Sequence, residues 1–250
     1  MGHDGGGAVI RIVIGSAQVA RDTISLTPEQ SHYLFRVMRA KPGQKVEALV
    51  SGQMLYDCAV TQQPDLLLQV ASHAVAVPVS ITLAQSLLKK DLFSQIIEKG
   101  TEAGISCFVP LVTERSIVRE ISAAKQQRWP AIAQEATEQC RQSRVPRIEK
   151  LSTLGRLAEF PAAVKLLLDP DGVNIMDWLA HSPPEVRDWL VAAGPEGGLS
   201  GQEISGLRSA GFTAVSLGPY IYRAENAGTV AAGILTSWAF SSLSSPGDHF

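Results

Sequence analysis

Two glycine-rich turns near the end of the chain hold the residues whose types and spacing best suit ligand binding. The first glycine turn is residues 194–198, Gly-Pro-Glu-Gly-Gly, and the second is residues 217–223, Leu-Gly-Pro-Tyr-Ile-Tyr-Arg. Because glycine has no Cβ, its backbone can approach a ligand closely. Gly197 and Gly198 are therefore predicted to lie where a Cβ would clash with a ligand or a neighbouring loop. The pattern predicts a site for an adenosine-like or other small ligand, with a purely structural role for the turns as the alternative.

The elements around the turns follow a strand–turn–helix pattern that occurs twice. An apolar run at 188–193 predicts a buried strand, and Ser200 with Glu203 has the capping-box spacing of a helix start. A second strand is predicted at 212–217, and a helix of small residues at 224–240. Open α/β sheets bind ligands where their parallel strands end, at one edge of the sheet. The two turns are therefore predicted to line neighbouring pockets.

Common nucleotide-binding, hydrolase and metal motifs are absent from the sequence. Neither turn fits the GxGxxG dinucleotide fingerprint or the Gly-Lys-Ser/Thr ending of a Walker A loop. No GxSxG nucleophile elbow is present. The three cysteines form no CxxC pair and the five histidines are scattered. No metal site is predicted, and a reducing compartment is expected.

The composition is that of a folded protein. With 250 residues, of which 45% are hydrophobic and 18% charged, the chain can bury one large core or two modest ones. A net charge of −2 argues against unselective coating of nucleic acid but leaves local basic patches open. Residues 1–7 lack a signal pattern, and no apolar run approaches the roughly 20 residues of a membrane span. A soluble cytoplasmic protein is predicted.

The hydrophobic periodicity changes at residues 74–78, which predicts two domains. Residues 1–77 are predicted to be β-rich with one helix, which is capped by Thr27 and begins at Pro28, as in small RNA-binding barrels. Residues 78–250 alternate strands and helices in at least five βα units, which predicts a mostly parallel sheet covered on both sides. Beyond the elements at the glycine turns, strands are predicted at 9–14, 45–50, 54–60, 66–70, 79–85, 105–112 and 163–169, the last ending in a turn at 170–172, and helices at 90–103 and 123–140.

The helix that begins at Pro28 carries a candidate basic patch. Helical spacing places four apolar side chains on one face and leaves Arg36 and Arg39 together off that face. With Lys41 and Lys45 these arginines form a patch that is either an RNA contact or a solvated surface. The four apolar residues are Tyr33, Leu34, Val37 and Met38.

Residues 194–200 and 217–225 together resemble the signature of the RsmE family. Members of this family are S-adenosylmethionine-dependent methyltransferases of the SPOUT superfamily that modify uridine N3 in 16S ribosomal RNA of the small subunit. Residues 98–104, 110–116 and 138–141 with 145–146 resemble further family blocks, and residues 32–39 resemble the helix of its PUA-like barrel. The resemblance covers nearly the whole chain in order.

The resemblance implies an α/β fold, a SPOUT-type trefoil-knotted parallel sheet with helices on both faces, preceded by a small PUA-like β-barrel domain. The RNA-binding barrel would span 1–77 and the methyltransferase domain 78–250. A homodimer with its sites near the subunit interface is also implied. Three loops would hold S-adenosylmethionine, largely through their backbone. The implied cofactor-binding residues are Leu168, Gly194, Pro195, Glu196, Gly197, Gly198, Leu217, Gly218, Ile221 and Tyr222.

The chemistry implied by the resemblance is proton removal and positioning, because the methyl sulfonium of the cofactor is already electrophilic. Arg223 is predicted to stabilise the anion of the uridine ring, and Glu225 to orient Arg223 or relay the proton. Glu196 is an alternative base. The structural alternative is an exposed pair of Arg223 and Glu225 at a helix start. The predicted RNA-binding residues are Arg11, Arg36, Arg39 and Arg115.

Three positions near the second glycine turn depart from the family pattern. Tyr220 stands where the family usually has Arg, and Ala224 and Asn226 stand where it has Thr. These departures keep two alternatives open: a catalytically weakened RNA-binding protein that retains the barrel and the cofactor pocket, and a SPOUT methyltransferase acting on another RNA. The target nucleotide, the general base and the choice between naked RNA and an assembled subunit are left open by the sequence.

Overall fold

The structure is a computed structural model that describes residues 9–241. The chain divides into two compact units, one formed by Met1–Val77 with Thr137–Val145 and the other by Pro78–Ala136 with Pro146–Phe250. The division after Val77 falls where the periodicity of the sequence changes. The expectations for residues 1–7 concern a segment outside the described residues.

The first unit is built on a five-stranded sheet that curls around one core. Its strand order is β1-β3-β4-β5-β2, with β1 and β3 parallel and the other pairs antiparallel. Alternate residues of the strands, such as Ile10, Ile12 and Ile14 in β1, bury their side chains in the same cluster as Ile24 of β2. Because both edge strands face one core, the sheet must curl, as predicted for a PUA-like fold. The strands are β1 (Ile10–Ile14), β2 (Thr23–Ser25), β3 (Lys45–Val50), β4 (Met54–Val60) and β5 (Leu66–Ala74).

Helix α1 (Pro28–His32) starts as predicted but continues differently. The Thr27 side chain accepts a hydrogen bond from the Gln30 backbone N–H at 3.3 Å, and the Gln30 side chain accepts one from Thr27 at 2.8 Å, which completes a capping box. A π-helix over Tyr33–Val37 follows. The wider turn breaks the 3.6-residue spacing, so the predicted face is wrong in part. Leu34 is fully buried, whereas Val37 and Met38 are exposed.

The cysteines serve as core or partly buried side chains. Cys58 and Cys107 are buried, and none of the three cysteines forms a disulfide with another described residue. Burial raises the pKa of the Cys58 thiol to about 12, and the charge of the neighbouring Asp57 adds to this effect. Cys58 therefore stays neutral at physiological pH and contributes to the core as a small apolar group.

The second unit is built on a parallel sheet in the strand order β12-β10-β11-β6-β7-β8, with β9 also paired to β7. Every ladder in this sheet is parallel. The chain runs from β6 outward through β7 to β8, and then places β11, β10 and β12 on the other side of β6, so the strand order changes direction between β6 and β11. The strands are β6 (Ser80–Ser86), β7 (Cys107–Val112), β8 (Arg147–Ile148), β9 (Ser152–Thr153), β10 (Val164–Asn174), β11 (Asp188–Ala193) and β12 (Thr213–Ser216).

Helices cover both faces of the parallel sheet, as predicted. On one face, Gly100 of α2 and Gly228 of α6 pack so closely that a Cβ would lie 2.8 Å from Phe108 and 2.7 Å from Leu83, respectively. On the other face, Leu207 of α5 joins the cluster of alternate strand residues. Within residues 9–241 no helix is long and apolar enough to cross a membrane. The helices are α2 (Leu92–Glu102), α3 (Ala123–Cys140), α4 (Ile175–Ala180), α5 (Gly201–Ser209) and α6 (Ala224–Ser241).

The turn predicted at residues 170–172 is a bulge within β10. The strand continues to Asn174, and both Leu168 and Val173 pair with Val215 of β12. The extra residues project from the ladder, and the Asp171 N–H donates to the Asp169 side chain at 3.0 Å. Gly172 passes so close to β12 that a Cβ would lie 2.6 Å from its backbone. A side chain at this position would push the two strands apart.

Candidate functional site

A cavity of about 930 Å³ lies at the carboxyl ends of β11 and β12 and beside the middle of β10. Both glycine turns and the bulge of β10 line it. The volume is at the upper end of the roughly 300–1,000 Å³ typical of small-ligand sites. Of the residues predicted to bind the cofactor, those that line the cavity are Leu168, Gly194, Pro195, Glu196, Gly198, Leu217, Gly218, Ile221 and Tyr222. Gly197 is outside the cavity lining.

The first glycine turn is held by hydrogen bonds on several sides. Within the turn, the Gly198 N–H donates to the Pro195 carbonyl at 2.9 Å. The Gln85 side chain donates to the Gly194 carbonyl at 3.2 Å, and Arg115 donates to the Gly197 carbonyl at 2.9 Å. Gln85 is fully buried at the end of β6, beside Ala193 of β11. The protein itself therefore determines the shape of this turn.

Glycine at position 198 is explained by backbone conformation rather than by crowding. Its φ is +67°, which side chains other than glycine rarely adopt. No protein atom among residues 9–241 would lie within 4 Å of a Cβ at Gly198, and at Gly197 the nearest atom would be 3.6 Å away, in Arg115. The expected clash with a neighbouring loop is therefore wrong for these two glycines.

The two carboxylates near the first glycine turn are engaged with backbone groups. Glu196 accepts a hydrogen bond from the Lys89 N–H at 3.0 Å, which links the turn to the loop after β6. Glu203 completes the predicted capping box with Ser200 and also accepts from the Glu114 N–H at 2.7 Å. Glu196 therefore accepts a structural hydrogen bond in this conformation. Because its carboxylate is engaged in this way, Glu196 is less suited to act as the alternative base.

The second glycine turn is open by comparison. Gly218 has a φ of +119°, another conformation suited to glycine. Residues 218–222 make no hydrogen bond to any residue in the range 9–241. Tyr220 and Ile221 are 80% and 84% exposed, respectively. The backbone donors and acceptors of this turn are therefore available to a ligand in the cavity.

Arg223 and Glu225 lie at the start of α6 and line the same cavity. The Arg223 carbonyl accepts from the N–H groups of Asn226 and Ala227 at 2.9 and 3.1 Å. Its exposed guanidinium forms no ion pair with any of the described residues, so Arg223 and Glu225 are not a surface salt bridge. An unpaired guanidinium at a helix amino terminus is suited to stabilise an anion.

Two lysines that sequence reasoning missed also line the cavity. Lys89 and Lys90 are exposed on the loop between β6 and α2, and Lys90 has a φ of +59°. A non-glycine residue in this region of backbone space is strained, and such strain is often found at functional sites. The strand–turn–helix order around these lysines, the same as at the two glycine turns, is the signal that could have found them.

The four arginines predicted to bind RNA are in different environments. Arg36 and Arg39 are exposed in the first unit, and Arg115 is exposed beside the first glycine turn of the second unit. Arg11 is 9% exposed, donates to Glu47 at 2.8 Å and to the Arg141 carbonyl at 2.7 Å. Its guanidinium holds residues 141–142 against β1, so the prediction that Arg11 contacts phosphate is wrong for this conformation.

The acidic, histidine and cysteine side chains that the structure describes are dispersed. Among residues 9–241 there is no group of three or more His, Cys, Asp or Glu side chains placed to hold a metal ion. The acidic residues of the cavity, Asp169, Asp171, Glu196 and Glu225, lie among Lys89, Lys90 and Arg223. Asp169 also approaches Arg208 at 4.0 Å.

Comparison with known families and proteins agrees with the fold. Residues 76–236 match the family described as RNA methyltransferase domain, and residues 26–66 match the RNA methyltransferase PUA domain. A structure from Legionella pneumophila, solved in complex with the bound cofactor SAM, superposes with a TM-score of 0.80 at 26% identity. The superposition covers 92% of this chain and 98% of that one. The chain therefore belongs to the RNA methyltransferases with an attached PUA domain.

Two curated relatives narrow the family. Ribosomal RNA small subunit methyltransferase E of Synechocystis is 34% identical over 88% of this chain and 75% of its own length. The protein of the same name from Bacillus subtilis is 28% identical over 82% of this chain and 86% of its own length. The chain belongs to the ribosomal RNA small subunit methyltransferase E family, the RsmE family, which confirms the resemblance found in the sequence.

Proposed function

We propose that this protein transfers the methyl group of S-adenosylmethionine to N3 of a uridine in the 16S ribosomal RNA of the small subunit. The observation that carries the proposal is the cavity where both glycine turns meet Arg223 and Glu225. The relatives are named for methylation of small-subunit ribosomal RNA, and the Legionella structure contains the cofactor. Together they support this reaction for a chain of the same family.

The residues of the cavity fit the cofactor. The first glycine turn offers a preformed shape, and residues 218–222 offer backbone groups that no described residue uses. Leu168, Gly194 and Gly218 are among the residues that would hold the cofactor. Bound S-adenosylmethionine supplies an electrophilic methyl group, so the chain has only to position the acceptor and assist loss of its proton.

Arg223 is the residue proposed to stabilise the acceptor. Uridine N3 becomes nucleophilic once its proton leaves, and the ring then carries a negative charge. The Arg223 guanidinium, at the amino terminus of α6, would stabilise that charge through hydrogen bonding and electrostatic attraction. Glu225 lines the same cavity and is proposed to receive or relay the N3 proton, with solvent as the final acceptor.

Contacts with the RNA backbone are proposed for three exposed arginines. Arg36 and Arg39 lie beside the predicted RNA-binding sheet of the first unit, and Arg115 lies next to the cofactor turn of the second. Guanidinium groups bind phosphate through paired N–H donors and position the RNA without reading its sequence. Residues 1–77 would act as the RNA-binding domain and residues 78–250 as the methyltransferase domain.

The proposal also covers the oligomeric state of the protein and the knotted topology of its sheet. A homodimer with its sites near the subunit interface and a trefoil-knotted sheet are proposed on the resemblance of the glycine turns to the RsmE signature. A cytoplasmic location follows from the proposed substrate, because ribosomal subunits are assembled there. Sedimentation of the purified protein tests the dimer directly.

The test of function is methyl transfer from labelled S-adenosylmethionine to small ribosomal subunits that lack the modification, followed by nucleoside analysis. We expect label in 3-methyluridine, and none with subunits that already carry the modification. Naked 16S ribosomal RNA in a parallel reaction identifies the preferred substrate.

Two other outcomes would favour the alternatives to this function. Binding of RNA and cofactor without transfer would favour a catalytically weakened RNA-binding protein, an alternative suggested by the departures at Tyr220, Ala224 and Asn226. Label in another nucleoside or another RNA would favour a different methyltransferase.

A further inference from the structure

An exposed aromatic side chain lies at the edge of the proposed active site. Tyr220 lines the cavity and is 80% exposed, and it makes no hydrogen bond to any residue in the range 9–241. Ile221 beside it is 84% exposed, and Tyr222 is 40% exposed. Exposed apolar side chains grouped at a cavity are typical of a binding surface.

We propose that Tyr220 is a stacking surface for a base of the RNA substrate, either the target uridine or its neighbour. This inference rests on the proposed function and adds a contact residue to it. N3 lies on the Watson–Crick edge of uridine, so enzymes that modify such positions need the base unpaired and turned out of its stack. A base that has lost its stacked neighbours gains a replacement from an aromatic ring, which is the usual way in which proteins recognise unpaired RNA bases.

The charges around Tyr220 favour a nucleotide over an apolar partner. Lys89, Lys90 and Arg223 line the same cavity, and none of them forms an ion pair with a residue in the described part of the chain. Two of the acids in the cavity already have partners, since Glu196 accepts from the Lys89 N–H and Asp169 approaches Arg208. An aromatic ring that lines the same cavity as these cations matches the base and the phosphate of a nucleotide.

The strained conformation of Lys90 supports the same assignment. Its φ of +59° lies in a region where glycine would fit without strain, yet the position carries a long cationic side chain at the cavity. We infer that the Lys90 ammonium contacts a phosphate next to the stacked base. The alternative occupant of this surface is a second copy of the chain, which the experiment below distinguishes.

The test compares Tyr220→Ala, Tyr220→Phe and Tyr220→Trp in binding to small ribosomal subunits that lack the modification. We expect Tyr220→Ala to raise the Kd roughly tenfold, because stacking of one base is typically worth that much or more. Phe and Trp keep the aromatic face, so both variants should stay within about twofold of the wild type. Cofactor affinity, measured by calorimetry, should be unchanged in all three. Met176→Ala is the matched control, since Met176 is 56% exposed but outside the cavity.

Three results would overturn the proposal. The first is unchanged RNA binding in Tyr220→Ala. The second is a loss in Tyr220→Phe as large as in Tyr220→Ala, which would assign the effect to the hydroxyl group. The third is conversion of a dimer to a monomer in sedimentation of Tyr220→Ala, which would make the surface a contact between copies. If the wild type binds subunits without methylating them while Tyr220→Ala still weakens binding, the proposed function fails and the stacking role stands.

Discussion

The two glycine turns share a sequence pattern but are held in opposite ways. Residues 194–198 are hydrogen-bonded to the end of β6, to the following loop and to Arg115. Residues 218–222 have no such bonds within residues 9–241 and expose Tyr220 and Ile221. The first turn therefore has its shape determined by the protein, whereas the second leaves its backbone and side chains to ligands.

This difference separates the two tasks of the site. A held turn is preorganised, so that binding a cofactor costs little ordering. An open turn followed by Arg223 places free donors and an aromatic ring where a substrate would enter. Substitutions in or behind the first turn should act on cofactor affinity. The second turn is proposed to hold the cofactor through its backbone, so changes to the side chains of Tyr220 and Arg223 should act on RNA binding and rate instead. The predictions that follow test this separation.

Arg223→Ala, at the end of the second glycine turn, should have the largest effect. Removing a donor that stabilises charge in the transition state typically costs about 3–4 kcal/mol, so the rate should fall roughly 100-fold or more. Cofactor affinity should change little. Single-turnover methyl transfer measures the rate, and raising the pH should partly restore the variant by ionising N3. Arg223→Lys should recover activity only in part, because lysine lacks the planar guanidinium. A wild-type rate in Arg223→Ala would move the catalytic role to another residue.

Gly198→Val, in the held turn, should reduce cofactor affinity about tenfold or more. A φ of +67° is strongly disfavoured for a β-branched residue, so the turn must change shape. Calorimetry with S-adenosylmethionine measures the loss. Gly201→Ala is the control, because its Cβ would meet nothing within 4 Å and its φ is not positive. Gly198→Asn should lie between the two, since asparagine tolerates positive φ. Equal affinities in Val and wild type would show that the conformation of this turn is unimportant.

Gln85→Leu should weaken cofactor binding by roughly fivefold to tenfold with a small change in folding stability. The substitution leaves the Gly194 carbonyl without its 3.2 Å hydrogen bond, a loss worth about 1–3 kcal/mol. It also removes the Gln85 Oε1, a buried acceptor that has no partner among the described residues, and this offsets part of the cost. The rate at saturating cofactor should remain near the wild-type value. A reduced rate with unchanged affinity would contradict the assignment of the first turn to cofactor binding.

The smallest predicted effect is a change in folding stability. Lys90→Gly should raise the free energy of unfolding by about 0.5 kcal/mol. Glycine removes the cost of a positive φ, and its greater freedom in the unfolded chain offsets part of the gain. Lys89→Gly is the matched control and should lower stability, because Lys89 has no positive φ to relieve. Denaturant unfolding measures both. A destabilised Lys90→Gly would mean that the lysine side chain stabilises the fold.

Elements with strong local signals were predicted closely. Strand β11 and helix α3 have the predicted bounds, and the capping boxes at Thr27 and Ser200 are present. Most residues predicted to hold the cofactor line one cavity, because strand–turn–helix units of a parallel sheet bring their turns to one edge. Their roles in binding remain predictions until they are measured.

Features that the hydrophobic period and the turn residues do not indicate were predicted poorly. The exposure of Val37 and Met38 follows from a π-helix that helical spacing cannot indicate. The bulge in β10 depends on how Leu168 and Val173 both pair with Val215. Arg11 was predicted to contact RNA phosphates. In the structure it donates hydrogen bonds to Glu47 on a neighbouring strand and to the carbonyl of Arg141, 130 residues away.

The sequence by itself determined the two glycine turns, the helix starts that follow them and the family to which the chain belongs. These are local matters, since backbone freedom, capping and hydrophobic period act within a few residues. Only the tertiary structure decided which turn is hydrogen-bonded by the rest of the protein, and which cations of the cavity have no ion-pair partner in the described part of the chain. The reason is that a hydrogen bond or an ion pair needs a partner, and the partners of Gly194 and Arg11 lie more than 30 residues away along the chain.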